Sequence, residues 1–188
     1  MSIFCGQGFS QNDSVFSSRS LSSLSLYNAV AGKIFHLPVT HASTSYSLFV
    51  FLSPECPLSQ DYMPLLNELN KKYAGKISFF GIFPGEAYPA NEIKQFSEKY
   101  GVEYPLLIDS TMALTKLLFA RVTPEVILLS NNNELVYKGA INDLLMTLGK
   151  RRVKVTNHYL ENAIIESIYG RPVSIKRTKA VGCKINDF

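Results

Sequence analysis

The chain has 188 residues, 46% of them hydrophobic and 18% charged, with a net charge of +4, three cysteines and three histidines. Twelve Phe, ten Tyr and many Ile, Val and Leu exclude disorder throughout, and a chain of this length can bury a core. Three cysteines cannot staple a chain this long, and no apolar run of about eighteen residues exists to span a membrane. The basicity is local: residues 150–188 carry nine Lys/Arg against three acids, whereas residues 1–149 carry ten against twelve. With no nucleic-acid motif beside it, this reads as a solvated basic tail and implies no nucleic-acid partner.

Residues 1–10 resemble the stub of an export signal, with Gly8 and Ser10 as a small-x-small pair but no basic n-region. An extracytoplasmic protein is the corresponding expectation. Cys5 reads as inert or as removed with that segment, because bulky Phe4 stands where a lipidated cysteine wants a small neighbour. Residues 10–25 hold eight serines and extend the flexible leader over 1–25. Residues 27–30 and 34–37 form a predicted hairpin turning at Gly32.

Residues 47–52 are wholly apolar, as befits a strand buried on both faces. Residues 59–73 space Met63, Leu66, Leu69 and Tyr73 for a helix that ends at Ala74-Gly75. A second buried strand covers 77–83, a second helix 91–100, and a brief strand 106–108. Ser110 is placed to cap a short helix reaching Phe119. Residues 126–129 and 135–138 flank three asparagines as an antiparallel hairpin. A last helix covers 159–169, with Gly170 and Pro172 beyond. This order predicts an α/β sandwich on a mixed sheet: a domain over 26–140 and a basic C-terminal extension over 141–188.

The chemistry concentrates at Cys56, between a buried strand and a helix. A thiol in a first helical turn faces unpaired N–H groups and the positive end of the dipole, and both favour the nucleophilic thiolate. Pro57 suits that first turn, since its missing N–H would find no partner there. Glu55 opposes the effect, so only a moderate lowering of the thiol pKa is expected. The alternative is a buried cysteine acting as a small hydrophobe. Ser59 occupies the place of the second thiol in a Cys-x-x-Cys pair, and either donates to the thiolate or caps the helix. Thr123-Pro124 precedes a strand, and its X–Pro bond can take the cis form at modest cost or be an ordinary trans proline. The position resembles that of the cis-proline beside the reactive cysteine of a thioredoxin-like fold, which implies the cis form. Arg121 either steadies a thiolate or anionic substrate, or is an exposed surface arginine.

Residues 26–138 resemble the redoxin group, the alkyl-hydroperoxide-reductase and thiol-specific-antioxidant branch of the thioredoxin superfamily. The resemblance rests on Ala31-Gly32-Lys33, the stretch from Phe51 to Ser59, Val122-Thr123-Pro124, and Tyr137 to Asn142. The tail Thr178-Lys-Ala-Val-Gly-Cys183-Lys-Ile is similar to the ending of a bacterial, usually exported subgroup. The resemblance implies a thioredoxin-like three-layer sandwich with a central mixed sheet, an N-terminal hairpin and a C-terminal helix. Two departures bear on the reaction. Peroxiredoxins carry Pro-x-x-x-Thr-x-x-Cys; here Ser53 can stand for the threonine, but Phe49 stands where the proline belongs. Thioredoxins carry Trp before the reactive cysteine, and here Glu55 stands there.

Cys183 follows Gly182 in the basic tail. It either returns to Cys56 as a resolving thiol, or stays unpaired, or links two chains. The leading expectation is a thiol oxidoreductase in which Cys56 attacks a peroxide or a protein disulfide and Cys183 resolves the product. An external thiol or dithiol then restores the reduced state. The competing expectation is a catalytically silent module that binds a partner protein in the groove beside Pro124. No cofactor is implied. His36, His41 and His158 show no ligand spacing, Asp109 and Asp143 have no partner carboxylate, and no glycine-rich phosphate loop occurs.

Overall fold

A computed structural model describes residue 21, residues 23–37 and residues 45–185. Cys5, His41 and residues 1–20 of the expected leader lie outside the described residues. The strands are β1 (Ser25–Asn28), β2 (Lys33–His36), β3 (Tyr46–Phe51), β4 (Ile77–Pro84), β5 (Leu106–Asp109), β6 (Val122–Thr123), β7 (Glu125–Ser130), β8 (Leu135–Gly139), β9 (Leu145–Thr147), β10 (Lys150–Arg151) and β11 (Cys183–Lys184). The helices are α1 (Pro57–Lys72), α2 (Ala90–Tyr100), α3 (Ala113–Leu117) and α4 (Tyr159–Ile168). Seven strands form one mixed sheet in the order β2-β1-β5-β4-β3-β7-β8. β3, β4 and β5 run parallel, and the remaining neighbours are antiparallel.

The apolar run of β3 explains why this strand is central. Leu48 and Val50 join a core with Met63, Leu66 and Leu69 of α1, Ile93 and Phe96 of α2, and Leu160 and Ile164 of α4. Phe49 and Phe51 point the other way, into a second core with Phe80, Ile127, Leu114 of α3 and Leu118 just after it. Alternate side chains thus fill opposite layers, and each fully buried one contributes roughly 1.5–3 kcal/mol. The result is the expected three-layer sandwich, with the C-terminal helix α4 set into the same core as α1. The expected N-terminal hairpin pairs Tyr27 with Ile34, and Gly32 takes the left-handed conformation at φ 66°. Among the described residues no helix is long and apolar enough to cross a membrane.

The short third helix differs from its expectation. It spans only Ala113–Leu117 with Met112 at its N-cap, and Asp109 rather than Ser110 accepts the first-turn N–H groups. Thr115 donates to Asp109 Oδ2 from its backbone N (2.7 Å) and its Oγ1 (2.6 Å), and the Leu114 N–H donates to Oδ1 at 3.3 Å. Met112 turns through positive φ just before the helix, so the strand-end carboxylate, not the following serine, faces the free N–H groups.

The tail also holds more structure than its polarity suggested. Its lysines and arginines are exposed, yet its backbone is paired. The Lys138 N–H donates to the Lys176 carbonyl and the Thr178 N–H to that of Lys138, both at 3.0 Å, so the tail runs beside β8. Thr178 Oγ1 then accepts from the Ala140 N–H at 2.9 Å and lies 2.6 Å from the Tyr137 hydroxyl. Farther on, β11 pairs antiparallel with β6, Cys183 opposite Thr123 and Lys184 opposite Val122.

Candidate active site

Cys56 is the N-cap residue of α1, with extended backbone angles (φ −79°, ψ 112°), Pro57 behind it and no side chain capping the helix. Its carbonyl accepts the Gln60 N–H at 3.1 Å, the first helical bond. The residue therefore sits at the N-terminal end of α1, where the first-turn N–H groups lack helical partners and the positive end of the dipole lies. Ser59 takes up neither expected role. It is fully buried, and its Oγ accepts the Ser53 N–H at 3.3 Å, which ties the loop before Cys56 to the helix after it.

The second wall is the turn before β7. The Thr123–Pro124 peptide bond is cis, and the Thr123 carbonyl oxygen lies 3.1 Å from Cys56 Sγ. This turn is braced by buried charge. Glu125 accepts the Arg121 N–H at 2.7 Å and lies 3.8 Å from Lys138 Nζ. Lys138 in turn donates to the Leu118 carbonyl at 2.9 Å, at the C-terminal end of α3. Burial pushes the Lys138 ammonium below its ordinary range, an effect that the Glu125 carboxylate opposes.

β11 brings Cys183 to this wall, where it forms a disulfide with Cys56 across 127 positions of sequence, with a Cα–Cα separation of 6.2 Å. Gly182 makes the approach possible. A Cβ there would collide with the carbonyl of Thr123. Of the candidates named from sequence, Cys56, Cys183 and Thr123 meet at one point, with Pro57 and Pro124 shaping the two turns around it.

A cavity of about 310 Å³ opens beside the disulfide. Both cysteines line it, with Thr123, Ser53, Glu55, Tyr88, Lys184 and an apolar wall that includes Leu52, Pro84 and Ile185. Ser53 Oγ lies 2.9 Å from the Tyr88 hydroxyl, which donates to Glu55 at 3.5 Å. Tyr88 was not legible in the sequence, because it comes from the loop between β4 and α2 and no motif marks it. Arg121 does not line the cavity; its carbonyl accepts the Ile185 N–H at 3.0 Å and so holds the tail. Phe49, in the peroxiredoxin proline position, is buried in the opposite core against Phe80. Asp109 accepts the first-turn N–H groups of α3. Asp143 accepts from Thr156 and from both the backbone and the side chain of Asn157, which leaves neither for acid–base work.

No protein-family model matches the chain, and neither does any functionally curated protein. Solved structures do match. An uncharacterized conserved protein of Geobacillus kaustophilus shares 25% identity over 88% of each chain, with a TM-score of 0.76. A hypothetical protein of Sinorhizobium meliloti shares 24% identity over 88% of this chain and 91% of its own, with a TM-score of 0.77. A secreted disulfide oxidoreductase of Mycobacterium tuberculosis shares 15% identity over 63% of this chain and 84% of its own, with a TM-score of 0.53. The fold is thioredoxin-like. Within this thioredoxin-like domain a disulfide joins the strand–Cys56–helix junction to β11, which pairs with β6 beside the Thr123–Pro124 turn.

Proposed function

We propose that the chain is a thiol–disulfide oxidoreductase that cycles Cys56 and Cys183 between dithiol and disulfide. The observation that carries this reading is the disulfide itself, which joins a helix N-cap sulfur to a tail strand paired with Thr123. In the reduced state the Cys56 thiolate attacks one sulfur of a substrate disulfide; a new S–S bond forms, and the other substrate sulfur leaves as a thiolate. Cys183 then attacks Cys56 Sγ in that mixed disulfide and expels the second substrate thiolate. The substrate gains two electrons, and the protein is left oxidised. Ser53 in the cavity, where peroxiredoxins place threonine, favours peroxide as a second oxidant. There Cys56 would become a sulfenic acid as hydroxide or alkoxide leaves, and Cys183 would displace water from it.

We assign the chain to the redoxin branch on the sequence around Cys56 and the Gly182-Cys183 tail. We also place it in an oxidising, extracytoplasmic compartment, where such a bond persists; the Mycobacterium tuberculosis neighbour is described as secreted. The test is turnover of a protein disulfide and of hydrogen peroxide by the native chain and by Cys56→Ser. The substitution is expected to lower the rate by about 10³-fold or more, and Cys183→Ser to trap a mixed disulfide on Cys56. Turnover that survives Cys56→Ser overturns the reading. Turnover with peroxide alone narrows it to a peroxidase.

A further inference from the structure

Returning the oxidised chain to its dithiol form requires a thiolate to reach one of two sulfurs. The Cys56 side is closed, with only 2% of the residue exposed, while Cys183 is half-buried. The edge of β6, where another strand would lie, is taken by β11. What remains open is the cavity. Its volume of about 310 Å³ falls at the low end of small-molecule sites and suits a ligand of amino-acid size.

The walls carry charges of both signs, each next to one sulfur in sequence. Glu55 precedes Cys56, and Lys184 follows Cys183; both line the cavity, with the hydroxyls of Ser53 and Tyr88. An ammonium group finds a carboxylate there and hydroxyl oxygens, and a carboxylate finds an ammonium. We propose that this cavity binds a low-molecular-weight amino-acid thiol, bearing both an ammonium and a carboxylate group, which reduces the Cys56–Cys183 disulfide.

The inference rests on the thiol–disulfide reading above and adds the class of reductant. The small thiolate attacks Cys183 Sγ, the S–S bond breaks, and Cys56 leaves as a thiolate at the α1 N-terminus. A leaving thiol with a lowered pKa departs faster, which favours this direction of attack. A second molecule of the thiol attacks the small-molecule sulfur of the mixed disulfide and releases Cys183. One protein disulfide and two small thiols thus give two protein thiols and one small disulfide. Two electrons pass to the protein, and the two thiol protons end on its cysteines or in solvent. Once Cys183 is freed, β11 can leave the β6 edge, so a small reductant and a protein substrate would use the two redox states in turn.

The experiment follows opening of the disulfide by cysteine, glutathione and 2-mercaptoethanol, each rate divided by thiolate concentration. Cysteine and glutathione are expected to react about tenfold faster than 2-mercaptoethanol or better, and to saturate with concentration. The Glu55→Gln, Lys184→Gln double variant is expected to bring the ratio to about one. Any change in the disulfide itself acts on all three thiols and cancels in that ratio. A ratio near one in the native chain, or an unchanged ratio in the double variant, overturns the proposal while leaving the thiol–disulfide reading in place. A disulfide that resists excess dithiothreitol overturns both.

Discussion

Gly182 sets its α-carbon against the carbonyl of Thr123, one residue before the sulfur that bonds Cys56. A methyl group there must displace either β11 or the Thr123–Pro124 turn, and the turn is fixed by Glu125. Gly182→Ala is therefore expected to destabilise the oxidised protein by about 1–3 kcal/mol and the reduced protein far less, as urea unfolding of both forms would report. An equal loss in both would mean that the tail stays seated without its disulfide. Asp143 offers a second single-residue test. The Thr156 hydroxyl, then the Asn157 and Thr156 donors, hold its carboxyl well below the usual carboxylate range, against the opposing effect of burial. A depressed folded-state pKa contributes stability that is present above the unfolded value of about 3.9 and is lost as pH falls through the folded one. Unfolding midpoints measured from pH 5 downward should thus decline, and Asp143→Asn should flatten the part of that decline due to this group. At this scale the sequence was readable wherever a residue type has few uses at its position. Cys56 before Pro57 and Thr123 before Pro124 are such residues. Ser59 was not, because a serine one turn into a helix has the same local signature whether it faces a thiolate or, as here, a loop N–H.

Elements long enough to show a period were legible, and those too short were not. β3, β4, α1 and α2 fall within a few residues of their expected bounds because burial on one or both faces writes a pattern into the sequence. β6 and β11 have two residues each and carry no such pattern. Their pairing is set by the turn at Pro124 and by the missing Cβ of Gly182. The β9–β10 hairpin, with strands of three and two residues, is also short and mostly exposed, and only Gly149 at φ 78° hints at its turn. The tail is held at two places of unequal strength. Near Thr178 it shares backbone bonds with β8 and side-chain bonds with Tyr137 and Ala140, whereas β11 relies on one short pairing and the disulfide. On reduction, amide hydrogen exchange is expected to quicken at Ile185, whose N–H donates to the Arg121 carbonyl, and to stay slow at Thr178. Protection unchanged at Ile185 would show that β11 does not depend on the covalent bond.

Taken whole, the molecule is a thioredoxin-like sandwich whose strand β11 returns to the end of β3. The bond that closes it spans 127 positions, so the loop it removes from the unfolded ensemble is long. In the chain-entropy account the oxidised form is more stable than the reduced form by about 5 kcal/mol. Denaturant titration with and without dithiothreitol measures that difference, and a gap below about 1 kcal/mol would mean that the native state loses nearly as much as the unfolded state does. The same closure has a mechanical side. Among the described residues, α1 to α4 and every strand from β4 to β10 lie within the ring, and β1, β2 and β3 precede it. Tension applied to the two ends of the oxidised chain bypasses the ring, since the sulfur bridge carries the load. Roughly 440 Å of contour, about 3.5 Å for each of the 127 positions, stays hidden until the bridge opens. The extensible length of this protein is therefore itself a function of its redox state.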